Sequence, residues 1–575
     1  MEKQALEKAT WWTNNNIFDA ASRKEIQDLI DAGDTKEITE RFYKDLEFGT
    51  GGIRSILGAG LNRINIYTIR KASQAIADEV LANHHEKTEP KIAISYDSRI
   101  MSFELAKEAA TVYAANGIHA YIYKRLNPVP LLSFSVRYHK ANAGVMVTAS
   151  HNPPAYNGYK VFWNDGAQVT PPNDESIISR YKALTDFSAL KHMNFDDGVS
   201  KGLIHWVGED VENAYQEAIY AAAINPELSK KSGADLKIVY TPIHGSALIP
   251  CSVALEKMGF TNVSVVESQA KPDGNFPTVK SPNPENPEAL AMAVEQMKRT
   301  GADIVMGSDP DGDRLGLAFI ENNEVVYLNG NQIGTLMLHY ILSNLKIQDR
   351  LPKNSYFVKT IVTTPLQENI ASAFDVDCEN TLTGFKWICG RMNKIEKTQP
   401  ERNFLFATEE SFGYLNHKNV RDKDGVSSVT LMSEVALHYK LQGKSLVAAL
   451  DDIYTEYGFS YEHLLSLDYF GKEGAEKISR IMESFRALNG KIIDRTASKV
   501  EDYQKGMDDF PKSNVLGFHF ENGDRLYLRP SGTEPKIKFY IMVQEKEGTL
   551  SDKKSKAKSK VDQFLSFINK KAEQA

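Results

Sequence analysis

Residues 148–160 read Thr148-Ala149-Ser150-His151-Asn152-Pro153-Pro154-Ala155-Tyr156-Asn157-Gly158-Tyr159-Lys160. They follow the apolar run Ala143-Gly144-Val145-Met146-Val147, which has the length and composition of a buried strand. Asn152-Pro153-Pro154 then forces a turn. A buried strand that stops in a turn holds its last side chains rigidly at the sheet edge. Ser150 is therefore a candidate nucleophile, with His151 beside it and Lys160 ten residues on.

The same pattern recurs outward from this stretch. Lys91–Tyr96 ends at Asp97-Ser98-Arg99, Leu236–Tyr240 at Thr241-Pro242-Ile243-His244-Gly245, Ala302–Met306 at Gly307-Ser308-Asp309, and Tyr356–Val358 at Lys359-Thr360. Each is a short β-branched or aromatic run that stops at polar, turn-forming residues. Helical text such as 103–116 and 287–300 lies between them. That alternation predicts βαβ units around parallel or mixed sheets, an α/β fold. Open α/β sheets place ligands at the carboxyl ends of their strands, where these polar residues fall. Residues 1–46 read as helical. The C-terminal part reads as α+β: helical text over 474–488, strand runs at 515–520, 525–528 and 537–543, then a terminal helix. Lys553–Lys560 is rich in lysine, but Val561, Phe564, Leu565 and Ile568 follow at helical spacing, so a solvated helix face accounts for it.

At 575 residues the chain is long enough for three or four domains. A net charge of −7 and a pI near 6.1 speak against nucleic acid as a partner. Three cysteines do not make a disulfide framework. No apolar run approaches a membrane span, and Met1–Glu7 lacks a signal-peptide core. The expectation is a cytoplasmic protein with no membrane partner; the oligomeric state is not legible.

Three further loops carry chemistry. Residues 307–314 read Gly-Ser-Asp-Pro-Asp-Gly-Asp-Arg, which spaces Asp309, Asp311 and Asp313 at i, i+2, i+4. In an extended loop this puts three carboxylates on one side, where a cation offsets their repulsion. An exposed acidic turn would use the same residue types. An EF-hand fails, because position 12 counted from Asp309 is Ile320 and position 6 is Arg314. Few, hard oxygen ligands fit Mg²⁺ with coordination left for a phosphate oxygen. Residues 529–533 read Arg-Pro-Ser-Gly-Thr, with Lys536 and Lys538 following. Arg529, Ser531, Gly532 and Thr533 suit an anion cradle. Glu409-Glu410-Ser411-Phe412-Gly413 could meet vicinal sugar hydroxyls or cap a helix, and Thr383-Gly384-Phe385-Lys386-Trp387 and Lys423-Asp424 are equally open by themselves. Gly49-Thr50-Gly51-Gly52 lacks the Gly-x-Gly-x-x-Gly spacing of a dinucleotide loop, and no Gly-x₄-Gly-Lys-Ser/Thr loop occurs.

In their order, these loops resemble the α-D-phosphohexomutase superfamily of phosphoglucomutases, phosphomannomutases and phosphopentomutases. The motifs are Thr148–Pro153, Asp309–Arg314, Glu409–Ser411 and Arg529–Thr533, and the likeness extends to 48–54 and Asn283-Pro284-Glu285. Length and Gly384-Phe385-Lys386-Trp387 place the chain nearest the bacterial phosphoglucomutase and phosphopentomutase-like branch. The resemblance implies four domains around a central cleft, three of mixed-sheet α/β type and a C-terminal α+β domain. Boundaries are expected at 1–207, 208–322, 323–452 and 453–575.

It also implies roles. Ser150 would be a phosphoserine that exchanges its phosphoryl group with a sugar phosphate through a bisphosphorylated intermediate, glucose 1,6-bisphosphate in the glucose case. Mg²⁺ would sit on Asp309, Asp311, Asp313 and a phosphoserine oxygen. Arg54 and Arg314 would add positive charge. Lys160 is the candidate base, with its pKa lowered by burial and nearby cations, and Lys423 serves the opposite proton. His151 is either a base or a loop-holding residue. Arg529, Ser531, Gly532, Thr533 and Lys538 would hold the non-reacting phosphate; Thr383, Gly384, Glu409 and Ser411 would meet the sugar. Dual-specificity members carry Gly-His after Glu-x-Ser; Phe412-Gly413 stands here, which favours glucose over mannose or pentose phosphates. A catalytically silent phosphosugar binder is the alternative from another class.

Overall fold

The computed structural model describes residues 2–49, 51–85, 87–469, 471–507, 509–531 and 536–575. The chain forms two compact units. The first comprises Met1–Asn329, Cys389–Gln399 and Ser411–Leu437; the second comprises Gly330–Ile388, Pro400–Glu410 and His438–Ala575.

The first unit opens with three helices, Glu2–Asn14, Ala20–Asp31 and Thr35–Phe42. They close over Trp12, Phe18 and Phe42, and the Trp12 and Phe18 rings stack at 3.7 Å. A six-stranded sheet follows, in the order Gly52–Ile56, Tyr156–Trp163, Ala143–Val147, Lys91–Tyr96, His119–Tyr123, Ile204–Val207. Lys91–Tyr96 runs parallel to both neighbours, and every residue of Ala143–Val147 is buried. Continuous apolar text marks such doubly covered parallel strands. Tyr156–Trp163 turns back antiparallel beside Ala143–Val147, pairing Met146 with Lys160. This brings the base candidate back toward the end of the candidate nucleophile's strand. The close approach depends on Gly158: a Cβ there would lie 2.3 Å from the Thr148 carbonyl oxygen and 2.7 Å from that of Ile53.

The second sheet of this unit has the order Glu324–Leu328, Gly316–Glu321, Ile304–Gly307, Ile238–Thr241, Val263–Val265. Helix Pro287–Thr300 seals one face with Leu290, Ala293, Val294 and Met297. The acidic loop leaves the carboxyl end of Ile304–Gly307, as its apolar run predicts.

In the second unit, Ser355–Thr360 pairs in parallel with Asp377–Thr381 and with Asn403–Glu409. An antiparallel sheet orders Phe459–Asp468, Lys536–Glu545, Arg525–Pro530, Leu516–His519 and Lys499–Asp502. Helix Leu550–Gln574 buries Val561, Phe564 and Ile568. Of its lysines, Lys556 and Lys558 face solvent, while Lys553 is buried and Lys560 pairs with Glu545 at 2.5 Å. The fold is α/β with mixed sheets and an α+β C-terminal region. No helix among the described residues is long and apolar enough to cross a membrane.

Candidate active site

Ser150 is buried, and its backbone is left-handed at φ +49, a conformation that non-glycine residues adopt only where the surroundings impose it. Thr148 Oγ1 accepts the Ser150 amide at 2.8 Å and lies 2.6 Å from Asp97 Oδ2. The turn aims Ser150 Oγ at Asp309 Oδ2, to which it donates at 2.7 Å. It also carries His151 Nδ1 to 3.1 Å from the same hydroxyl, so the histidine does face the serine. Burial first, then the Arg314 and Arg54 cations, holds the His151 pKa well below its usual value, leaving a neutral ring.

Asp309, Asp311 and Asp313 are all buried, with ligand oxygens within 4.8 Å of one another. Gly312 makes the turn between the last two: its φ is +63, and a Cβ would sit 2.6 Å from Pro128 Cβ. Asp309 Oδ1 accepts the amides of Asp313 and Arg314, each at 3.1 Å. Asp311 Oδ1 and Asp313 Oδ1 have no hydrogen-bond partner among the described residues. Buried carboxylate oxygens without partners are costly, and hard oxygen donors converging on one point fit a divalent cation. Burial and the neighbouring carboxylates push the Asp309 pKa well up. Burial works the same way on Asp311, but Lys160 outweighs it and holds that carboxylate low.

Lys160 Nζ lies 2.7 Å from Asp311 Oδ2 and 3.4 Å from Asp313 Oδ2. This corrects the expectation of a lowered lysine pKa. Burial does oppose the ammonium, but the charges of Asp311 and then Asp313 outweigh it and the opposing Lys423 cation, and raise its pKa instead. Lys423 reaches the same Asp313 oxygen at 3.2 Å. Its loop is fixed on either side. Asp424 accepts from Tyr215 Oη and the Ser427 amide and lies 2.9 Å from His417 Nε2, while Gln168 donates to Asp422 at 2.8 Å. Arg54 donates to Asn152 Oδ1 at 2.8 Å, and Arg314 pairs with Glu285.

The first unit thus gathers Ser150, His151, Lys160, Asp309, Asp311, Asp313, Lys423, Arg54 and Arg314. Sequence reasoning passed over Arg99, whose guanidinium donates to the carbonyls of Ser150, Asn152, Pro153 and Tyr156. Its place after a strand end in Asp97-Ser98-Arg99 was the available signal.

In the second unit, Arg529 closes the strand Arg525–Pro530 opposite Lys538. Ser531 follows it and donates its amide to the Lys536 carbonyl at 2.8 Å. Gly532 and Thr533 lie outside the described residues. Glu409 ends the strand Asn403–Glu409 of this unit, while Ser411 and the strand Gly413–Leu415 that begins after it are counted with the first unit. No helix starts here, which removes the helix-cap reading of this loop. Glu410 Oε2, a carboxylate the sequence reading left aside, accepts from Thr360 at 3.0 Å. Thr383 and Gly384, the latter at φ +114, precede helix Phe385–Thr398.

Four regions match family descriptions. Residues 45–187, 213–322 and 329–457 match phosphoglucomutase/phosphomannomutase alpha/beta/alpha domains I, II and III, and 475–551 match the C-terminal domain. A phosphoglucomutase of Staphylococcus saprophyticus is 33% identical over 552 residues, covering 93% of this chain and 96% of the relative. One of Staphylococcus aureus is 36% identical over 523 residues, covering 88% and 91%. In fold, the chain is similar to the open form of a Paramecium phosphoglucomutase, pp63/parafusin, with a TM-score of 0.69 at 17% identity over 92% of this chain and 96% of that one. It is also similar to a phosphoglucomutase/phosphomannomutase family protein of Burkholderia thailandensis, with a TM-score of 0.63 at 19% identity over 89% and 96%. With its four regions matched in order, the chain belongs to the phosphoglucomutase/phosphomannomutase family of enzymes.

Proposed function

We propose that the protein is a phosphoglucomutase, interconverting glucose 1-phosphate and glucose 6-phosphate through a phosphoserine at Ser150. The observation that carries the reading is the 2.7 Å contact between Ser150 Oγ and Asp309, inside a buried triplet of carboxylates faced by two lysines. Phosphorylated Ser150 gives its phosphoryl group to the free hydroxyl of the sugar monophosphate. The phosphorus–Oγ bond breaks, a phosphorus–oxygen bond to the sugar forms, the sugar hydroxyl loses its proton and Oγ regains one. The bisphosphate, glucose 1,6-bisphosphate, then returns its other phosphoryl group to Ser150.

Asp309, Asp311 and Asp313 are the residues to hold Mg²⁺, which supplies positive charge against the transferring phosphoryl group. Lys160 and Lys423 offset charge at the Asp313 oxygen they share, and Lys160, held protonated by Asp311 and Asp313, gives a proton rather than takes one. Neutral His151 can take or return the proton at Ser150 Oγ. Arg54 and Arg314 add positive charge. Arg529, Ser531, Gly532, Thr533 and Lys538 hold the non-reacting phosphate, and Thr383, Gly384, Glu409 and Ser411 contact the sugar. Family matches falling within or close to each segment support domains at 1–207, 208–322, 323–452 and 453–575.

Glucose is favoured by Phe412-Gly413 after Glu409-Glu410-Ser411 and by the name phosphoglucomutase borne by the staphylococcal relatives. Comparing kcat/KM for glucose 1-phosphate, mannose 1-phosphate, ribose 1-phosphate and N-acetylglucosamine 1-phosphate tests this. Glucose 1-phosphate should lead, and a higher value for mannose or ribose would reassign the substrate. No turnover of any of them, with binding retained, would make the protein a silent phosphosugar binder.

A further inference from the structure

We propose that Arg99 is a positioning residue for Ser150, and that Phe276 sets Arg99 in place. The inference deepens the mutase reading and rests on Ser150 as the phosphoryl carrier. Arg99 is 3% exposed. One nitrogen, Nη1, donates to the carbonyls of Pro153 at 3.0 Å and Tyr156 at 2.9 Å; the other, Nη2, donates to those of Ser150 and Asn152. Four carbonyls of one turn therefore point inward at a single guanidinium.

This capture accounts for the left-handed backbone of Ser150. A turn whose carbonyls face inward needs a donor for each of them, and Arg99 supplies the donors without contacting Ser150 Oγ. Its own position is fixed twice. Asp97 Oδ2 lies 3.5 Å from Arg99 Nε, and the Phe276 ring centroid lies 5.0 Å from the guanidinium carbon. The Phe276 segment also packs on the backbone at this point: a Cβ on Gly274 would sit 2.4 Å from the Ile100 nitrogen. Phe276 belongs to the stretch that follows the second sheet's strand Val263–Val265. The aim of Ser150 thus depends on residues outside its own sheet. Lysine cannot replace Arg99, because a point charge lacks the planar fork that serves paired acceptors.

The test uses the full-length protein and glucose 1,6-bisphosphate, following phosphoryl transfer to Ser150 by intact mass and calorimetric binding of glucose 1-phosphate in parallel. In Arg99→Lys the transfer should slow by about 10- to 100-fold, as expected for a displaced reacting atom, while the Kd for glucose 1-phosphate stays unchanged. In Phe276→Leu it should slow by about 3-fold, the scale of one cation–π contact. A purely structural role would slow transfer and raise the Kd together, and that result overturns the proposal. So does a wild-type transfer rate in folded Arg99→Lys. If thermal unfolding finds Arg99→Lys unfolded, Phe276→Leu decides, and a wild-type rate there overturns the proposal. Wild-type protein that accepts no phosphoryl group refutes the mutase reading itself, and the positioning role with it.

Discussion

Ser150 Oγ donates to Asp309 Oδ2 at 2.7 Å, joining residues 159 positions apart. A buried hydroxyl has no need of a buried carboxylate at that distance for packing alone. The contact places the hydroxyl proposed to carry the phosphoryl group beside the three converging carboxylates.

The first prediction concerns that hydroxyl. Ser150→Ala should abolish turnover and leave glucose 1-phosphate binding intact, because the residues proposed to hold the phosphate lie elsewhere in the chain. Steady-state kinetics and calorimetry read the two effects separately. Near-normal activity would end the nucleophile assignment.

The second concerns the carboxylates. Asp311→Asn removes the charge from the carboxylate whose Oδ1 has no hydrogen-bond partner among the described residues and whose Oδ2 lies 2.7 Å from Lys160 Nζ. Mn²⁺ affinity, followed by electron paramagnetic resonance, should fall by at least about 100-fold, because loss of even an outer-sphere partner costs up to that much. Unchanged affinity would remove the triplet from metal binding.

The elements of this site differed in how far they could be read from sequence. The strand ends and the acidic loop were legible because both depend on local patterns: apolar runs, turn residues and an i, i+2, i+4 spacing. Lys423 was ambiguous because its placement depends on Tyr215, 209 residues from Asp424. The direction of His151 was not legible, since it follows from the left-handed backbone at Ser150, which is imposed by distant donors. The raised pKa of Lys160 is not legible for a related reason. Sequence supplies the charges but not their distances, and a carboxylate at 2.7 Å outweighs burial here.

The third prediction concerns the proposed phosphate loop. Arg529 closes its strand opposite Lys538, and its Nε is buried without a hydrogen-bond partner among the described residues. A donor held in this way suits an incoming phosphate oxygen. Arg529→Ala should raise KM for glucose 1-phosphate by about 10-fold or more, the worth of a charge-assisted hydrogen bond. Phosphorylation of Ser150 by a small phosphoryl donor should be less affected. An unchanged KM would count against the loop.

The fourth concerns pH and the second unit. Glu368 accepts from Arg525 at 2.9 and 2.6 Å and lies 2.8 Å from Lys359, whose side chain is fully buried. Burial raises the Glu368 pKa, but Lys359 and then Arg525 outweigh it and hold the carboxyl well below its ordinary value of 4.5. A carboxylate with a depressed folded pKa contributes stability above its unfolded pKa and loses that contribution as pH falls toward the folded one. Glu368→Gln should therefore cost about 1.5–3 kcal/mol at neutral pH, the range for hydrogen bonds to charged groups. The gap to wild type should narrow steadily below pH 4.5. Urea unfolding of both proteins from pH 7 downward measures it. A gap that stays constant with pH would mean that Glu368 is not held as a depressed carboxylate, and that the Lys359–Glu368–Arg525 contacts contribute by packing rather than charge.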